Sequence, residues 1–161
     1  MTNAPFMLSV SGARGIVGRT MTPLVAKKLA LSWAFILYEE LGYIPELVLG
    51  RDSRPSGDSL LRAASEALLG AGFSVCDLGL VSTPTVGYAI EELKADGGIV
   101  ITASHNPKEW NGMKILNRFG TAPPSNTARK FIKRFESSSE LSRVGNNKKS
   151  KIKKIDDITC G

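Results

Sequence analysis

The chain is poor in the residues that most often declare a chemistry. It has one histidine and two cysteines in 161 residues. A single histidine, His105, leaves no second imidazole to serve as a base. Cys76 and Cys160 lie far apart, with no Cys-x-x-Cys pair and no zinc-ligand spacing, which points away from a disulfide scaffold or zinc module and toward the reducing cytoplasm. No run of ~18 apolar residues exists, so no membrane-crossing helix is expected. The opening "MTNAPFMLSVSGARG" lacks the basic start and apolar centre of a secretory leader. No internal repeat is visible.

What remains is the composition of a globular domain. Apolar residues make up 42% of the chain, and its length suits one domain able to bury a real core. The net charge of +6 is unevenly placed. Six of the 21 basic residues (Arg143, Lys148, Lys149, Lys151, Lys153 and Lys154) fall between Leu141 and Ile155 with no acid among them, leaving 15 basic against 15 acidic residues elsewhere. The body is balanced, so no nucleic-acid face spread over the fold is expected. The basic run is read as a solvated linker or edge segment, with a nucleic-acid tail as the minority reading.

Helix boundaries carry a repeated signal. Thr22-Pro23 opens "LVAKKLALSWAFILYEEL" as N-cap and first helical position, Leu29, Trp33, Leu37 and Leu41 recur on one face, and Gly42 stops it. Thr83-Pro84 opens "TVGYAIEEL" in the same way. Ser53 or Ser56 opens "GDSLLRAASEALLGAG", which closes at Gly70 or Gly72. Pro123-Pro124-Ser125 precedes a fourth helix, "NTARKFIKRFESS".

Short apolar runs alternate with these helices: Leu47–Leu49, Phe73–Leu78 and Ile99–Ile101, with a first strand near Met7–Val10. Near-continuous apolar strands belong to a sheet covered on both faces. The expected fold is an α/β, three-layer α/β/α sandwich with a mostly parallel, mixed sheet. Asn111-Gly112 and the stretch from Asn117 to Gly120 read as turns around "MKIL", a hairpin-like excursion. The expected division is a globular unit over 1–136 and, over 137–161, a basic linker or the start of a following domain.

Ligands of open α/β sheets gather beyond the carboxyl ends of the strands. Three loops qualify: "GRDSRPSG", "GLVSTPT" and "TASHNP". A fourth, "SVSGARGIVG", has glycines that let a backbone approach an anion and a forked cation in Arg14; a tight turn with a surface arginine is the plainer reading. Ser104 beside His105 invites a nucleophile–base reading. However, no Gly-x-Ser-x-Gly elbow surrounds Ser104, and adjacent side chains in extended chain point apart. A phosphate site fits better, with Thr102 and Asn106 as neutral partners and Arg14 and Lys114 as cations around a doubly charged group. The alternative is that Ser104, His105 and Asn106 only cap a turn. Arg51, Asp52 and Arg54 read first as an internal ion-pair and capping network, and Trp110 as a packing residue.

The segments "SGARGIVG", "GRDSRPSG", "AGFSVCDLGLVSTPTVGYAI" and "KADGGIVITASHNP", followed by "NGMK", resemble in order the first domain of the α-D-phosphohexomutase superfamily of phosphoglucomutases, phosphomannomutases and phosphoglucosamine mutases. The resemblance runs from about Leu8 to Phe135, and Thr-Ala-Ser-His-Asn-Pro is its most specific motif. It implies that Ser104 carries a phosphoryl group, hands it to a phosphosugar and recovers it from a bisphosphorylated intermediate. It implies catalytic roles for His105 and Lys114 beside the reacting group, an Arg14 clamp on the phosphate, and Mg²⁺ on the phosphoserine oxygen. Residue types alone leave the general base open between His105 and Lys114.

The family's Asp-Gly-Asp-Gly-Asp-Arg metal loop, sugar-reading loop and terminal phosphate-binding loop have no match here. The acid pairs Glu39-Glu40, Glu91-Glu92 and Asp156-Asp157 do not look like a Mg²⁺ cage. The expectation is therefore the N-terminal domain of a phosphohexomutase, partnered by further domains of the same polypeptide, inactive in isolation and prone to self-association through surface made for those domains. The rival expectation is a natively short, non-enzymatic module that binds a phospho-ligand or a partner chain.

Overall fold

A computed structural model describes residues 4–138 and the backbone of a short strand at Ile152–Lys154. Eleven elements follow in chain order: β1 (Phe6–Ser9), β2 (Gly12–Ile16), α1 (Pro23–Leu41), β3 (Glu46–Arg51), α2 (Gly57–Gly70), β4 (Ser74–Leu80), α3 (Thr83–Glu92), β5 (Gly97–Ile101), β6 (Trp110–Asn117), α4 (Ser125–Ser137) and β7 (Ile152–Lys154). The strands form one mixed sheet in the order β1-β2-β6-β5-β3-β4-β7. From β5 to β7 the pairings are parallel; from β1 to β5 they are antiparallel.

Alternation along the strands divides the core in two. Leu47, Leu49, Ile99, Ile101, Met113 and Ile115 point to one face, where α1, α2 and α4 pack. Val48, Val100, Cys76, Leu78 and Leu116 point to the other, where α3 alone supplies Val86, Ala89 and Ile90. The result is the α/β/α sandwich expected of strands that are apolar on both sides.

Helix α1 begins and ends as its sequence signals. The Thr22 side chain accepts the Val25 N–H at 3.2 Å, and Gly42 adopts the left-handed conformation at φ 75°. Its packing is more extensive than one inward face. Every residue from Leu29 to Leu37 is buried, Ala30, Ser32 and Ala34 included. The helix lies against α2, α4 and the sheet, so it has no solvent side over those turns.

Other boundaries differ from expectation in instructive ways. The N-cap of α3 is Ser82, one residue before Thr83; its hydroxyl accepts the Thr85 N–H at 3.3 Å, and Pro84 sits within the first turn. Ser56 precedes α2 without capping it, because its hydroxyl accepts a hydrogen bond from Asn111 Nδ2 at 2.8 Å. The glycine-rich segment is not a loop: Gly12–Ile16 is β2, paired on both sides. Asn111-Gly112 is not a turn either, but lies inside β6 opposite Gly15 and Arg14. The actual reversals are the 102–109 loop and the turn at Asn117, closed by Gly120 N–H donating to the Asn117 carbonyl at 3.0 Å with Gly120 at φ 67°.

The basic run from Leu141 to Ile155 falls outside the described residues, apart from the backbone of Ile152–Lys154. That backbone adds to the sheet edge in parallel with β4, Val75 opposite Ile152.

Candidate functional site

The site is built where β5 ends. After Ile101, Thr102 and Ala103 are still buried, and then Ser104 and His105 emerge into solvent. The Asn106 N–H donates to the Ala103 carbonyl at 3.1 Å, closing a turn with Ser104 and His105 at its centre. Ser104 sits at φ 55°, a left-handed conformation that costs a residue with a Cβ about 1–2 kcal/mol. Lys94, the other such residue among those described, lies just past the end of α3, where left-handed backbone is a common way to finish a helix.

Strand pairing brings the cations to this turn. β6 runs antiparallel to β5, with Lys114 opposite Val100, and β2 runs antiparallel to β6, with Arg14 opposite Gly112. Gly112 has no side chain because the Arg14 stem crosses it: a Cβ there would lie 2.8 Å from Arg14 Cγ and 2.3 Å from the Ala13 carbonyl oxygen. Arg14 Nη1 donates to Asn106 Oδ1 at 2.9 Å.

Ser104, His105, Arg14, Lys114 and Thr102 thus line one cleft of about 240 Å³, together with Ser9, Ser11, Gly12, Ala13 and Met113. Five of the six residues expected at a phosphate site face this space. The sixth, Asn106, reaches it through Arg14. Among the described residues, the Ser104 hydroxyl, the His105 ring and the Lys114 ammonium have no hydrogen-bond or ion-pair partner, so all three are available to a ligand. Thr102 is largely spoken for: its hydroxyl donates to Asp52 Oδ2 at 2.7 Å and accepts the Ser104 N–H at 3.0 Å. Ser9 and Ser11 were not anticipated. Their place in the sequence, directly before Gly12-Ala-Arg14, is the one signal that pointed to them.

The first glycine of "SGARG" serves the sheet. A Cβ on Gly12, at φ 133°, would sit 1.8 Å from the Met113 carbonyl oxygen. Close approach is indeed what this glycine permits, but the approaching group is the β6 backbone.

The trio at the end of β3 forms an internal network. Arg51 and Asp58 stand 3.8 Å apart, and Arg54 Nε is 3.3 Å from Asp52 Oδ2. Arg54 also donates to three carbonyls of the serine loop and to that of Trp110. Trp110 is half-buried at the start of β6 and does not line the cleft. Among the described residues, no three His, Cys, Asp or Glu side chains converge to hold a metal ion. Asp52, the carboxylate tied into the loop, is already engaged by Arg54 and Thr102. The described residues do not by themselves make a Mg²⁺ site.

Comparison with known proteins places the fold in a family. Residues 7–142 match the family model for phosphoglucomutase/phosphomannomutase, alpha/beta/alpha domain I. A phosphoglucosamine mutase of Alkaliphilus oremlandii is 41% identical over 118 residues, covering 73% of this chain and 26% of its own length. A phosphoglucomutase/phosphomannomutase of Thermococcus kodakarensis is 43% identical over 109 residues, covering 68% of this chain and 24% of its own. Among solved structures, a phosphoglucomutase/phosphomannomutase family protein from Burkholderia thailandensis superposes with a TM-score of 0.73 at 27% identity, over 93% of this chain and 34% of that one. The chain spans about a quarter of the length of these curated relatives. No helix among the described residues is long and apolar enough to cross a membrane. The chain belongs to the phosphoglucomutase/phosphomannomutase family, and what it carries of that family is the α/β/α domain I.

Proposed function

We propose that this chain is the phosphoserine-bearing domain of a cytoplasmic phosphohexomutase, which interconverts hexose 1-phosphate and 6-phosphate through a bisphosphorylated sugar. In the forward half-reaction a sugar hydroxyl oxygen attacks the phosphorus on Ser104. The new P–O bond forms as the P–Oγ bond of Ser104 breaks; the hydroxyl proton leaves to a basic group in the cleft, and the departing Ser104 oxygen takes up a proton there and ends as the free hydroxyl. The reverse transfer from the sugar's other phosphate restores phospho-Ser104. The single observation that carries the reading is the shared cleft: an exposed Ser104 hydroxyl beside His105 and Lys114, all three without a partner among the described residues, and the Arg14 fork.

Each group has a role that its chemistry suits. Phosphoryl transfer asks mainly for position and for positive charge around the equatorial oxygens. Arg14 offers forked donors to two phosphate oxygens, and Lys114 a point charge to a third. Asn106 holds Arg14 in place. Thr102 fixes the Ser104 amide. His105 and Lys114 are the two candidates for moving the sugar proton. Mg²⁺ would bind an oxygen of phospho-Ser104 only with ligands from outside the described residues.

The domain is taken as residues 1–136 and 137–161 as its exit toward further domains of the same polypeptide, an exit that first returns Ile152–Lys154 to the sheet edge beside β4. The isolated chain accepts a phosphoryl group but does not complete isomerisation, because a bisphosphate must turn over inside an enclosure and one domain offers a face. The test is mass spectrometry of the intact chain and its Ser104 peptide, before and after incubation with a hexose 1,6-bisphosphate. One phosphoryl group on Ser104, absent from Ser104→Ala, is expected. A Ser104 that never carries phosphate overturns the reading in favour of a non-enzymatic binding module. Mutase turnover by the 161-residue chain alone overturns the claim of inactivity.

A further inference from the structure

Arg54 lies outside the cleft, yet it is the most heavily bonded side chain near Ser104. Its Nη2 donates to the carbonyls of Ser104 at 2.8 Å and Asn106 at 2.7 Å. Its Nη1 donates to the carbonyls of Pro107 at 2.8 Å and Trp110 at 3.0 Å. Its Nε meets Asp52 Oδ2 at 3.3 Å, and the side chain is only 12% exposed. One guanidinium therefore gathers three carbonyls of the loop between β5 and β6, the carbonyl of the first residue of β6, and one carboxylate. Only arginine, with five N–H groups in a rigid fork, can satisfy that set; an ammonium has three donors on a flexible stem.

The same network returns to Ser104 from its other side. Asp52 Oδ2, held by Arg54, receives the Thr102 hydroxyl, and the Thr102 oxygen receives the Ser104 N–H. Ser104 is thus gripped at both main-chain polar groups, the N–H through Thr102 and Asp52, the C=O by Arg54 directly. Between the two grips lies the φ of 55°. A conformation of this cost persists only where its surroundings over-determine it. No helix end explains it here, as one does for Lys94.

We infer that Arg54 is a positioning residue, which, through Asp52 and Thr102, holds Ser104 in the left-handed conformation and so presents its hydroxyl to the cleft of Arg14, His105 and Lys114. Arg54 touches no reacting atom. Without it the Ser104 backbone relaxes to negative φ and the hydroxyl leaves its place. The conformational half of this inference stands on geometry alone; the kinetic half rests on the reading of Ser104 as phosphoryl carrier.

The test compares the 161-residue chain with Arg54→Lys, Arg54→Gln and Thr102→Val. The conformational readout is the intraresidue Hα–HN Overhauser effect of Ser104 by NMR, strong only at positive φ. The kinetic readout is Ser104 phosphorylation by a hexose 1,6-bisphosphate followed by mass. The wild type is expected to show the positive-φ signature, and both Arg54 variants to lose it while the rest of the amide spectrum is retained. Phosphorylation at saturating donor should slow by about 10- to 100-fold, as expected for misplacement on the ångström scale, with half-saturation by donor little changed. Arg54→Lys should not rescue. If the Arg54 variants do not fold, Thr102→Val decides, since it cuts the Ser104 N–H grip alone and should weaken the signature in a folded chain. Retention of the signature in the folded variants, with rates within twofold of wild type, overturns the inference. So does a wild type that lacks the signature. Loss of the signature in variants of a chain that takes up no phosphate supports the positioning role and sinks the phosphoryl-carrier reading instead.

Discussion

Arg14 and Asn106 are 92 positions apart in the chain and joined by one hydrogen bond, from Nη1 to Oδ1 at 2.9 Å. The bond ties the second strand of the sheet to the serine loop and leaves the remaining arms of the fork to a ligand. Arg14→Gln is expected to slow Ser104 phosphorylation by about 10- to 100-fold, the equivalent of one charge-assisted hydrogen bond. Asn106→Ala, which removes only the tether, should cost roughly fivefold, the worth of about 1 kcal/mol. In a double-mutant cycle the two effects should not add. Additive losses would mean that Asn106 acts on the phosphate by itself.

The left-handed backbone at Ser104 makes a separate prediction about stability. Ser104→Gly removes the steric cost but adds unfolded-chain entropy, for a net gain of up to about 1 kcal/mol. Ser104→Ala keeps the Cβ and should be neutral or slightly destabilising. Urea unfolding of the two variants checks the order. A glycine variant less stable than the alanine variant would show that the turn stores no strain. Both should take up no phosphate, so the stabler protein would be the inert one.

Three glycines of contrasting surroundings should rank in stability when changed to alanine. Gly12→Ala forces a Cβ onto the Met113 carbonyl oxygen at left-handed φ and should cost roughly 3 kcal/mol or abolish folding. Gly18→Ala has open space but a φ of 74°, and should cost about 1 kcal/mol. Gly70→Ala, in the last turn of α2 with nothing within 4 Å, should stabilise by about 0.5–1 kcal/mol. Thermal or urea unfolding midpoints test the series.

At the opposite end of the sheet from the site, Tyr43 OH donates to Asp96 Oδ1 at 2.6 Å, and Asp96 Oδ2 accepts the Glu46 N–H at 2.9 Å. The hydrogen bond to Asp96, followed by desolvation and the carboxylate's charge and opposed by the Arg118 charge, raises the phenol above its ordinary value of 10.0. The folded state therefore holds this proton more tightly than the unfolded chain does. The stabilisation is full below the ordinary phenol range and fades as pH climbs through the raised value. Ultraviolet titration should find a tyrosine that ionises above the ordinary value of 10.0. Asp96→Asn should return it toward the ordinary value; an unchanged titration would refute the assignment.

How much of this was legible beforehand depended on whether the determinant was a side chain or a backbone group. Thr22-Pro23 and Gly42 marked α1 to the residue because caps act locally. The face of α1 was read too narrowly, since periodicity presumes a solvent side and Ala30, Ser32 and Ala34 have none. β2 was missed because Gly12-Ala-Arg-Gly has no strand preference of its own; its register with β6 makes it a strand. Ser104, Arg14 and Lys114 were named together from their residue types, and strand register brings them to one cleft. The grip of Arg54 was not, because all but one of its acceptors are main-chain groups that every residue type shares.

A last consequence follows from the uneven dressing of the sheet. Among the described residues, three helices clothe one side and α3 alone the other, so the antiparallel margin carries no helix on α3's side, with Arg14 and Lys114 standing on it and Met7 52% exposed beside them. Had a fifth helix settled there, both cations would be entombed and the serine would overlook a wall. The shelf exists because an ornament was omitted, and whatever alights on it meets two cations and an exposed thioether side by side.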